Sequence, residues 1–110
     1  MKTIQEAYLE AYKGINIKEN QKIVIESKDS IICYIFAKNI KEANIKLLEE
    51  VVLKSKNLWD CYAFARDVKK SNKEKIFKVI LESGDKFLIN QFLETIEFDK
   101  KKYINYLLFI

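Results

Sequence analysis

The chain is 110 residues long, 49% apolar and 33% charged, with no proline and two glycines. That length fits one domain, the apolar content excludes a disordered chain, and the scarcity of turn formers excludes a β-rich fold. The formal charge is +4, but Arg66 is the single arginine, so almost all the positive charge is lysine, a solubilising point charge rather than a bidentate ligand for phosphate.

The first segment, MKTIQEAYLEAY, has no uninterrupted apolar run, so no secretory leader is expected. No apolar stretch approaches the ~20 residues that cross a bilayer. A cytoplasmic protein without membrane association is the expectation.

From Ser27 onward the chain repeats itself. Ser27-Lys28-Asp29, Ser55-Lys56-Asn57 and Ser83-Gly84-Asp85 open segments 28 residues apart. Cys33, Cys61 and Ile89 follow at the same spacing, then Phe36, Phe64 and Phe92, then Ala37, Ala65 and Leu93, then Ile40, Val68 and Ile96. The register also runs backwards, because Lys13-Gly14-Ile15-Asn16-Ile17-Lys18 aligns with Lys41-Glu42-Ala43-Asn44-Ile45-Lys46. The chain therefore divides into repeats 1–26, 27–54, 55–82 and 83–110 of a single domain.

Each repeat reads as two short helices. Cys33, Phe36, Ala37 and Ile40 fall at i, i+3, i+4 and i+7, one face of a first helix, and the same face recurs in the next two repeats. Leu48, Val51 and Val52 form the face of a second helix, followed by Ile76, Val79 and Ile80, then by Ile104, Leu107 and Leu108. Asp29, Asn57 and Asp85 stand where an N-cap would satisfy free backbone N–H groups of the first helices, and Asn16, Asn44 and Asn72 where it would serve the second. Helices of about ten residues are marginal alone, so their stability must come from stacking. The expected fold is an all-α solenoid of four two-helix repeats, about eight short helices. Asn20 takes the position of Leu48 and Ile76, and Phe98-Asp99-Lys100 replaces the usual turn, as terminal caps do.

Tyr62-Ala63-Phe64-Ala65-Arg66-Asp67-Val68-Lys69 and the run from Ala43 to Val52 resemble a family of short HEAT-like helical repeats found in clostridia, related low-GC bacteria and their phages. The resemblance covers most of the chain. It implies a fold and a binding style. It does not imply a partner; the short array, taken with the family's style, sets the expectation of a phage-type inhibitor of a host protein or an immunity protein.

The residues themselves argue against catalysis. Histidine is absent, which removes the commonest general base and metal ligand. Cys33 and Cys61, at equivalent helical positions, form no zinc or redox motif and are expected to be reduced core thiols. No phosphate-cradling glycine loop or nucleophile elbow occurs. No enzyme activity, cofactor or metal is expected.

Binding is the better-supported role. Trp59, Tyr62 and Arg66 lie at i, i+3 and i+7, and their counterparts one repeat earlier are Ile31, Tyr34 and Lys38. One repeat later they are Phe87, Asn90 and Glu94. Trp, Tyr and Arg are enriched at interface hot spots, so Tyr34, Lys38, Trp59, Tyr62 and Arg66 are candidate partner-binding residues. The competing role for Trp59 is packing against the neighbouring repeat. The net charges of the four repeats are 0, +1, +3 and 0. Lys69, Lys70 and Lys73 in the third extend the partner surface toward an acidic protein or, as the alternative function, toward nucleic acid. The chain ends on Tyr106, Phe109 and Ile110. These residues either fold back on the core or provide a self-association surface for a homodimer.

Overall fold

The computed structural model describes residues 2–103, and among these the chain is helical throughout, with no strand. The elements are α1 (Ile4–Tyr12), α2 (Ile17–Glu26), α3 (Ser30–Asn39), α4 (Ile45–Ser55), α5 (Leu58–Asp67), α6 (Lys73–Ser83) and α7 (Lys86–Thr95), then one 3-10 turn, Lys101–Tyr103. These are seven α-helices, where about eight were expected. The expected last helix around Ile104, Leu107 and Leu108, and the self-association residues Tyr106, Phe109 and Ile110, lie outside the described residues.

The helix starts follow from their caps. The side chains of Asp29, Asn44, Asn57, Asn72 and Asp85 each accept a backbone N–H from the first turn they precede. Asn16 departs from this expectation. Its backbone is left-handed (φ 47°), it makes no cap bond, and its amide instead donates to Glu10 Oε1 at 3.2 Å. The first helix is capped by Thr3, whose side chain accepts from the Glu6 N–H while Glu6 reaches back to the Thr3 N–H.

The serines that set the register hold the turns between second and first helices. Ser55 Oγ donates to the Val52 carbonyl at 2.6 Å and accepts from the Asn57 N–H at 3.1 Å. Ser27 and Ser83 repeat both bonds. The next residue in each turn, Lys28, Lys56 or Gly84, is left-handed at φ 59°, 59° and 75°.

Stacking follows the helix faces read from the sequence. α1, α3, α5 and α7 touch one another in chain order, α1, α3 and α5 each pack on the helix that follows, and the molecule extends over 51 × 21 × 16 Å. Phe36, Phe64 and Phe92 are fully buried at the centre, with Cys33, Cys61, Leu48, Val52, Ile76 and Ile80 around them. Val51 and Val79 are half-buried, whereas Phe77, Leu53 and Glu49 are also interior. At the N-terminal end the core turns polar. Asn20 is buried, donates to the Ile15 carbonyl at 3.0 Å, and accepts from Lys2 Nζ at 2.9 Å, while Lys2 also pairs with Glu10 at 3.0 Å. At the other end Phe98 and Tyr103 close over Phe77, with ring centroids 5.2 and 4.7 Å away.

Candidate functional site

The first helices place equivalent side chains in rows across the molecule. Ile31, Trp59 and Phe87 are the second residues of α3, α5 and α7, opposite the core stripe, and are 55%, 58% and 62% exposed. Trp59 and Phe87 meet with ring centroids 6.0 Å apart, and Trp59 stands edge-on to Tyr62 at 6.4 Å. Trp59 therefore touches the next helix while remaining more than half exposed.

In the second row Tyr34 and Tyr62 are each bonded to the next first helix, whereas Asn90 is exposed. Tyr62 is only 5% exposed, and its hydroxyl lies 2.7 Å from Thr95 Oγ1 at the end of α7. Tyr34 makes the equivalent reach to Asp67 Oδ2 at the end of α5. Burial, and then the bonded Asp67 carboxylate, raises the Tyr34 phenol above its usual range. Each tyrosine ties one first helix to the next. Tyr62 can offer a partner little more than its rim.

Lys38, Arg66 and Glu94 form the third row, all exposed. The Arg66 guanidinium lies 5.4 Å from the Tyr62 ring centroid, and Lys38 Nζ is 5.8 Å from that of Tyr34. Arg66 also clasps Asp67 with both oxygens engaged, Nε–Oδ1 2.9 Å and Nη2–Oδ2 2.8 Å. That bond, helped by the Tyr34 hydroxyl against the cost of burial, holds the Asp67 carboxyl at about 2.

Of the predicted lysines, Lys69 and Lys70 are exposed in the turn between α5 and α6. Lys73 is not free: its ammonium reaches the Val68 and Lys69 carbonyls at 3.5 and 3.4 Å and Ser71 Oγ at 3.0 Å. Lys41, which sequence reasoning did not single out, stands with Lys38, Lys69 and Lys70 around one cleft. The signal was available, because Lys41 and Lys69 are 28 residues apart.

The cysteines sit in the core. Each thiol faces the carbonyl that the turn serine also uses, Cys33 to Val24 at 3.7 Å and Cys61 to Val52 at 3.5 Å. Burial pushes them up to about 12 and about 11, so neither carries thiolate near neutrality. Among the described residues no group of three His, Cys, Asp or Glu could hold a metal ion, and no helix is long and apolar enough to cross a membrane.

Comparison of the chain with known protein families, curated proteins and solved structures yields no match. Established, among the described residues, is an all-helical chain with an exposed row of large apolar side chains, Ile31, Trp59 and Phe87, near an exposed row of two cations and a glutamate, Lys38, Arg66 and Glu94.

Proposed function

We propose that the chain is an α-solenoid of four HEAT-like two-helix repeats, and that it works as a non-catalytic protein-binding module of the inhibitor or immunity type. The solenoid reading is supported by helices whose starts recur every 28 residues, at Ile17, Ile45 and Lys73 and at Ser30, Leu58 and Lys86. The binding reading rests on one observation: Ile31, Trp59 and Phe87 project from equivalent positions into solvent, with Trp59 and Phe87 in ring contact. A row of large apolar side chains flanked by Lys38 and Arg66 has the make-up of an interface core and rim. Such a row costs solubility, and a partner that covers it would offset that cost.

The nucleic-acid reading is weaker, because Lys73 is engaged with its own turn and Glu94 and Glu97 stand one repeat after Arg66 and Lys69. The test is site-specific photocrosslinking. A benzoylphenylalanine at position 59 or 87 is expected to capture a discrete protein from the source lysate, whereas the same group at Lys46 or Lys54, exposed on α4, captures none. Equal capture from both faces would sink the reading.

A further inference from the structure

The turns that follow α3 and α5 enclose a cleft of about 210 Å³. Its lining includes Ile40 and Val68, both almost fully buried. Lys38 and Lys41 stand on one side, Lys69 and Lys70 on the other, and all four are exposed. The one carboxylate in the wall, Asp67, is held chiefly by Arg66 and by the Tyr34 hydroxyl, so it offsets the four lysines only in part. Four cations around an apolar floor suit an occupant that carries both negative charge and apolar groups.

We infer that this cleft receives a short acidic segment of the partner protein, with carboxylates facing the two lysine pairs and an apolar side chain on the floor between them. The inference rests on the protein-binding reading above and names the chemistry of the partner. Neighbouring helices pack about 8–10 Å apart, and extended chain covers about 3.3–3.6 Å per residue. Two carboxylates about three residues apart therefore span the lysine pairs. A long polyanion fits less well, because the basic row is short. One helix further on, the positions of Lys38 and Arg66 are taken by Glu94, and those of Lys41 and Lys69 by Glu97, with Asp99 beside it. At the other end the position of Lys38 and Arg66 is taken by Glu10, already paired with Lys2, whereas Lys13 holds that of Lys41 and Lys69. A nucleic-acid backbone running along the molecule would leave the lysines and meet carboxylates, whereas a short segment stays over the cations.

The experiment selects random dodecapeptides displayed on phage against the folded protein, then measures winners by fluorescence anisotropy beside an oligothymidylate of equal length. The double variant Lys41→Glu/Lys69→Glu and, separately, Trp59→Ala run alongside, each with a thermal melt to verify the fold. The expected winners carry two or more Asp or Glu about three residues apart with an apolar residue between, and the double variant weakens them by about tenfold or more. A neutral or basic consensus, an absence of enrichment, or an oligothymidylate that binds more tightly than the peptides would each overturn the inference. Peptides that depend on Trp59 but not on the lysines would overturn it while leaving the interaction face intact. Peptides that depend on neither would remove both.

Discussion

Three equivalent turns carry Lys28, Lys56 and Gly84 in the same left-handed conformation, φ 59°, 59° and 75°, and this makes the protein its own control. A side chain in that region meets its own backbone, at about 1–2 kcal/mol. Replacing Lys56 with glycine removes the clash, but the freer unfolded chain returns about 0.4–1 kcal/mol of it. A further few tenths go with the lysine charge, which faces the C-terminal end of the α4 dipole. The net expectation for Lys56→Gly is about 0.5 kcal/mol of added stability, or a rise in melting temperature of about 2–4 °C for a domain near this size. Lys28→Gly, one turn earlier, should behave alike, and the double variant should be nearly additive because the two turns are separate. Gly84→Ala should lose about 0.5–1 kcal/mol, all of it from backbone strain, because an added Cβ meets nothing within 4 Å. Thermal melts by circular dichroism, supported by urea titrations, read all four proteins. A lower melting temperature for Lys56→Gly, or a higher one for Gly84→Ala, would refute the assignment of these turns.

Glu49 is buried and accepts the Asn72 N–H at 2.7 Å, and Gln21 does the same for the Asn44 N–H at 2.6 Å. Burial raises the Glu49 carboxyl, so its protonated form favours the fold and stability falls as pH rises through the carboxylate range. Glu49→Gln keeps the bond and removes the charge, so it should raise the urea midpoint at neutral pH, with the gain vanishing below the ordinary carboxylate range; a loss at neutral pH contradicts this. Ser55→Ala removes one donated and one accepted hydrogen bond and should cost about 1–2 kcal/mol, read as a lower urea midpoint. Tyr62→Phe should cost about 1 kcal/mol through the lost Thr95 contact without changing partner capture, whereas Trp59→Ala should leave the melt within about 1 kcal/mol and abolish capture.

Register, helix faces and caps were legible because they depend on residues close in sequence. Phe36, Phe64 and Phe92 repeat at the core for the reason periodicity gives, and Asp29, Asn57 and Asp85 cap as residues of their type do. Asn16 aligned with Asn44 yet does not cap. Its turn contains Gly14 at φ 82° where the later turns carry Glu42 and Lys70, and the backbone takes another path. The pairings of Tyr34 with Asp67 and of Tyr62 with Thr95 were out of reach, since each joins residues 33 apart through the stacking geometry. The buried Asn20 announced an altered end, but its partners Lys2 and Glu10 come together only when α1 folds on α2. Within the predicted face, alignment placed Trp59 beside Phe87. It did not tell that Tyr62, one turn further along the same helix, would be covered.

The claim that this face holds a protein is tested most directly by an affinity pull-down from nuclease-treated source lysate, read by mass spectrometry, with wild type, Trp59→Ala and Arg66→Glu side by side. The expected result is a discrete protein partner that survives nuclease and is lost with Trp59→Ala and with Arg66→Glu, with a thermal melt of each bait showing that it is folded. Recovery of nucleic acid in place of protein, or a partner indifferent to both substitutions, would contradict it.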